Sequence, residues 1–128
     1  MITLTIHDPG CGHMNVNQRK HWSHRQRVTK AWREMTYLDA RRAGLPHLER
    51  ARIVATYRFH DRRRRDPANF FTTKAIVDGL IDFGLLPDDD YRHLIGPDLR
   101  IGEPVPRGQP LSVVLTIHDL SNEPEETR

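Results

Sequence analysis

Residues 52–90 read RIVATYRFHDRRRRDPANFFTTKAIVDGLIDFGLLPDDD, and three patterns follow one another along this stretch. From Arg52 to His60 the side chains alternate. Ile53, Ala55, Tyr57 and Phe59 fall on one side, and Val54, Thr56 and Arg58 on the other, which is the period of a half-buried strand. The strand runs into four consecutive arginines, Arg62, Arg63, Arg64 and Arg65. After Pro67 the period becomes helical: Phe71, Ala75, Ile76, Gly79 and Leu80 can share one face, and Gly84 is placed to end the helix. Strand, charged loop and helix are thus fixed before the flanks are read.

Working outward, Ile2, Leu4 and Ile6 alternate with Thr3, Thr5 and His7, a first strand stopped by Asp8-Pro9-Gly10. Trp22 to Ala43 has Val28, Ala31, Trp32, Met35 and Leu38 at helical spacing, with Arg25, Arg27, Lys30, Arg33 and Arg41 on the other face. Gly44 and Pro46 end it. On the C-terminal side the chain briefly extends through Leu94 and Leu99 to Ile101. Leu111, Val113, Leu115 and Ile117 form a last strand. The order strand, helix, strand, helix, short strand, strand predicts an α+β domain, a small mixed β-sheet with two helices packed on it. The domain is expected over residues 1–120, with a polar, acidic and frayed tail over 121–128.

A chain of 128 residues suits one domain with a modest core. One cysteine, Cys11, excludes an intrachain disulfide framework. No apolar run has the length of a membrane span, and the N-terminus does not read as a secretion signal, so a cytoplasmic location and no membrane partner are expected. Charge is unevenly distributed. Residues 18–65 hold 15 Lys and Arg against four acids, whereas residues 66–128 hold five against 12. A basic half and an acidic half suit a protein with one polyanion-binding surface and one pocket for a cation.

Each candidate site has a plain structural alternative. The arginine run is either a solvated loop or a phosphate grip, and the carboxylates that follow favour the grip. Asp66, ahead of Pro67, either caps the following helix or ligates metal; Asn69 fits ligand, substrate contact or cap. Asp88, Asp89 and Asp90 form either an acidic turn or half of a site for a hard divalent cation, because three adjacent carboxylates need compensation. Lys74 and Asp78, at i,i+4, are either a surface ion pair or a lysine aimed at a scissile phosphate. Asp82 is read as a solvent-facing charge. A helix spanning the whole segment would be roughly 24 Å long. Asp66 and the aspartate trio can then meet only if the helix is shorter or the chain doubles back after Gly84. Eight histidines include His21 and His24 close together, but no Cys/His ligand pairs accompany them, which excludes structural zinc.

The block DRRRRD-x-x-N, a helix with lysine, then DGL and a downstream Asp-Asp resembles the RusA family of Holliday-junction resolvases. The resemblance extends to Asn15, Asn17, Gln18, Arg19, His21 and Trp22 at the entry to the first helix, and to the final strand. It implies a small homodimeric endonuclease, frequent in phages and prophages, that cuts branched DNA such as four-way junctions with Mg²⁺, or Mn²⁺ in its place. Carried over residue by residue, Asp66 and Asp89 would be catalytic carboxylates and Lys74 the catalytic lysine. Asp66, Asp88 and Asp89 would hold the metal. Arg62 to Arg65, Asn69, Arg19, His21, Trp22, Arg25 and Lys30 would contact DNA. The family's second motif aspartate is Ala68 here, and two extra residues precede Lys74. The alternative is therefore a catalytically impaired branched-DNA-binding protein of the same fold.

Overall fold

The computed structural model describes residues 1–12, 22–67, 70 and 72–123. The elements follow in the order β1 (Ile2–His7), α1 (Trp22–Ala43), β2 (Ala51–Arg58), α2 (Thr72–Phe83), β3 (Leu94–Ile101) and β4 (Ser112–Asp119). The expected α+β architecture is present: one four-stranded mixed sheet, in the order β1-β4-β2-β3, with two helices. β4 runs antiparallel to both β1 and β2, and β2 runs parallel to β3. A parallel pair needs a crossover, and α2 supplies it.

Strand alternation decides what is buried. Leu4 and Ile6, Ile53, Ala55 and Tyr57, and Val113, Leu115 and Ile117 point into one core with Val28 and Trp32 of α1 and Ile76 and Leu80 of α2. On the other face Thr3 and Thr5 are exposed and Val54, Thr56, Val114 and Thr116 are half-buried. The helices therefore cover one face only.

The buried stripe of α1 is Val28, Trp32, Thr36 and Ala40, a strict i,i+4 row. The expected stripe ran through Leu38, which is 40% exposed. The row is rotated because α1 meets α2 at a close crossing. A Cβ built on Gly79 would lie 2.5 Å from the Arg33 carbonyl oxygen and 2.7 Å from Thr36 Cβ. Only the absence of a side chain at 79 lets the helices approach this closely, and Thr36, fully buried, returns its hydroxyl to the Trp32 carbonyl at 2.8 Å.

Pro67 lies in a single turn that precedes α2, closed by the Phe70 amide on the Pro67 carbonyl at 3.0 Å. Since α2 starts at Thr72, Asp66 is not its N-cap. Instead the buried Tyr57 hydroxyl bonds Thr72 at 3.0 Å and also Thr73, tying β2 to the first turn of α2. Burial pushes the Tyr57 phenol up, partly offset by those threonines. At its other end α2 stops at Gly84, with φ +93°, its amide shared between Leu80 and Ile81 and the Leu85 amide on Leu80. This is the left-handed glycine stop expected from the sequence. The tail is anchored at its start: the Leu120 amide bonds Arg50, and Ser121 Oγ accepts the Glu49 amide. No helix among the described residues is long and apolar enough to cross a membrane.

Candidate functional site

The chain reversal at Gly84 assembles the site. α2 has 12 residues, about 18 Å, and the segment after it runs back along the helix. Asp89 thereby reaches the first turn, where its Oδ2 accepts from Lys74 Nζ at 2.8 Å. Both geometric conditions read from the sequence are met at once, a shorter helix and a doubled-back chain. Lys74 Nζ also meets Asp78 Oδ1 at 3.0 Å, so the ammonium sits between two carboxylates. Hydrogen bonds from Asp89 and then Asp78 raise the Lys74 pKa, and the Lys74 bond holds Asp89 below the ordinary carboxylate range. Lys74 is thus a fixed cation at neutral pH.

Asp78 extends the network into α1. Its Oδ2 lies 3.9 Å from Arg33, and Arg33 holds Asp82 by a fork of 2.6 and 2.8 Å. The Asp82 bond drives the Arg33 pKa up and holds Asp82 down. Asp82 is therefore not simply the solvent-facing charge expected from the sequence. It ties the two helices beside the Gly79 crossing. Arg33 also lines an open groove of about 810 Å³ whose wall includes Trp22, Arg25, Arg27 and Lys30. Trp22 is 68% exposed there. Arg33 thus belongs both to the groove wall and, through Asp78 at 3.9 Å, to the charge network around Lys74.

The aspartate trio divides its partners. Asp89 takes Lys74. Asp90 takes Arg92, at 2.7 and 3.2 Å, and is held low by it. The Asp88 Oδ1 accepts the Asp89 amide at 2.7 Å. Side-chain cations therefore already offset the repulsion among the three. Among the described residues no group of three His, Cys, Asp or Glu side chains is gathered closely enough to hold a metal ion. The donors present do suit a hard cation. Asp66 is largely exposed, 4.0 Å from Arg64, and Asp88 has one oxygen outside its backbone bond. Mg²⁺ needs only one or two carboxylates and keeps its waters. Lys74 pairs with Asp78 and Asp89 but not with Asp66.

The four arginines do not act alike. Arg63 and Arg64 project into solvent, with side chains 82% and 92% exposed. Arg62 is turned toward the loop after β3 by Glu103 at 2.7 Å, where Arg58 also bonds the Glu103 carbonyl. Arg65 is mostly covered: it bonds Asp61 at 2.8 Å and lies 3.8 Å over the Phe59 ring. Phe59 stacks with Tyr57, and Phe70 meets both rings at a tilt in the same cluster. Arg65 is thereby set apart from the exposed arginines beside it, because the aromatic cluster gives the guanidinium a π-face and Asp61 supplies the counter-charge.

Arg19, His21, Ala68, Asn69 and Phe71 lie outside the described residues. Among the described DNA-contact candidates, Lys30 is exposed and loosely paired with Glu34 at 3.9 Å, and Arg25 is half-buried. Neither Arg33–Asp82 nor Asp90–Arg92 was legible in the sequence. The first joins two helices whose relative rotation is not written in either. The second is an i,i+2 contact set by the turn. No protein-family model matches the sequence, and no curated protein matches it.

Proposed function

We propose that this chain is a RusA-like, Mg²⁺-dependent endonuclease of branched DNA. The observation that carries the reading is the return of Asp89 to Lys74 across the Gly84 reversal. It makes a compact acid–base cluster next to an exposed arginine loop and a cationic helix. Arg63, Arg64 and the α1 cations around Trp22 grip the phosphate backbone and position it. Lys74, permanently charged, stabilises negative charge on a phosphate brought to the first turn of α2. One or two of Asp66, Asp88 and Asp89 would hold the cation, which would supply activated water and neutralise charge on the phosphate. Asp78 keeps Lys74 in place when Asp89 is engaged elsewhere. Two such chains would make paired cuts in a two-fold junction.

A second reading, a branched-DNA binder that does not cut, is favoured by two observations. No three potential ligands are gathered among the described residues, and position 68 is alanine. The deciding experiment is a labelled four-way junction beside linear duplex, with and without Mg²⁺ or Mn²⁺. Metal-dependent cutting of the junction supports the enzyme. Tight junction binding without cutting, in wild type and in Ala68→Asp alike, establishes the binder. Equal affinity for junction and duplex removes both.

A further inference from the structure

Phosphate grips hold any DNA, so the arginine loop and the α1 cations do not by themselves select a branch. Tyr91 is 84% exposed, more than Trp22 at 68%, and is the most exposed Tyr, Trp or Phe among the described residues. The turn that carries it is fixed. The His93 and Leu94 amides donate to the Asp90 carbonyl at 3.0 and 2.9 Å. The Asp90 carboxylate accepts the Arg92 amide at 3.0 Å and its guanidinium at 2.7 Å. The Ala51 amide donates to the His93 carbonyl at 2.9 Å, which ties the turn to β2. Tyr91 occupies the first of the two central positions, so the backbone on both sides is held and the ring is left in solvent.

Charge decides what the ring can meet. Lys74 and Arg92 are already paired, with Asp89 at 2.8 Å and Asp90 at 2.7 Å, and Asp88 adds a further carboxylate. Surroundings of that sign disfavour another phosphate and suit the uncharged face of a base. Asp89 precedes Tyr91 by two residues, at most about 7 Å along the backbone. A base on the ring would therefore belong to a nucleotide close to a phosphate at Lys74. We propose that Tyr91 stacks on an unpaired base beside the branch and so sets the preference for branched over linear DNA. In a duplex the base faces are covered by their neighbours and only the edges are open in the grooves. A ring can stack only on a base that has left the helix, and leaving is easiest where pairing is already broken. The inference rests on the reading of this chain as a branched-DNA protein, but not on its cutting.

The test removes the ring and the base in turn. Binding to a four-way junction, and to linear duplex of the same sequence, is measured by fluorescence anisotropy with Ca²⁺ in place of Mg²⁺. Tyr91→Ala should weaken junction binding about 5- to 150-fold, the span of base–aromatic stacking on alanine substitution, and leave duplex binding as it is. Tyr91→Phe should keep wild-type affinity and Tyr91→Leu should not, because the stack needs an aromatic face and not the hydroxyl. Melting temperatures should not move, given the exposure of the side chain. Junctions with an abasic site at successive positions around the branch then locate the base. At one position wild type must fall to the level of Tyr91→Ala, and the variant must lose nothing further. The proposal is overturned if Tyr91→Ala binds the junction as wild type does, or loses equally on junction and duplex. It is also overturned if Tyr91→Leu binds as well as Tyr91→Phe, or if the losses add at every abasic position. Equal wild-type affinity for junction and duplex removes this proposal and the reading beneath it together. The expected pattern without cutting in Mg²⁺ supports the stacking and removes the enzyme alone.

Discussion

Replacing Gly79 by alanine sets two effects of opposite sign against each other. Within an isolated helix the change is favourable by about 1 kcal/mol, because glycine gives up the most backbone freedom. In the folded protein the new methyl would meet the Arg33 carbonyl oxygen at 2.5 Å and Thr36 Cβ at 2.7 Å. Neither obstacle is the far end of a flexible side chain, so the helices themselves must part by roughly 1 Å to restore ordinary contact. Overpacking of this kind costs about 1–3 kcal/mol. The upper part of that range applies, because Trp32, Val28 and Leu80, all fully buried beside the crossing, lose contact when it opens. The net expectation is a loss of about 1–2 kcal/mol, visible in urea denaturation with an unchanged slope, and a melting temperature lower by several degrees. A peptide of residues 72–83 carrying the same change should gain helix. If Gly79→Ala leaves the protein as stable as wild type or more so, the close crossing is refuted, and with it the argument for how Arg33 is placed against Asp78 and Asp82.

Three further outcomes follow from the site. Arg63→Ala/Arg64→Ala should flatten the dependence of log K on log salt for DNA by about 1.8 with no change in melting temperature, while Arg65→Ala should lower the melting temperature and leave the salt slope alone; the reverse assignment would show that the arginine loop is misread. Tyr57→Phe should cost about 1–3 kcal/mol by leaving buried threonine hydroxyls without their partner, and hydrogen exchange should speed up first in the opening turn of α2. Asp89 has its pKa lowered by Lys74, so its contribution is complete above its ordinary value of 3.8 and disappears as pH falls through the depressed one; the stability gap between wild type and Asp89→Asn, followed by urea midpoints, should be widest near neutrality and close on acidification, and a gap independent of pH would mean that the pair contributes nothing.

Much of the fold was legible because periodicity is local. Alternation in 52–60 and at Ile2, Leu4 and Ile6 needs only the pleat of a strand, and Gly84 announced its own left-handed stop. Gly79 carried a partial signal, since a glycine inside a helix marks close approach, but not what approaches. The rotation of α1 that buries Thr36 and exposes Leu38 could not be read, because it answers to a surface on α2. The site was legible as composition rather than as geometry. Asp89 and Lys74 were both named, and only the reversal put them 2.8 Å apart.

By itself the sequence determined the elements, the stop of α2 at Gly84, the α+β class and the separation of a basic half from an acidic one. Those follow from propensity, periodicity and charge, which act over a few residues. The tertiary structure alone decided which charges meet. It drew Arg65 out of the arginine run and onto Phe59, gave Asp82 to Arg33 and Asp90 to Arg92, and left Arg63 and Arg64 in solvent. Ion pairing reaches only a few ångströms, and the partners within that reach are fixed by how distant segments pack, a property that no stretch of the sequence carries alone.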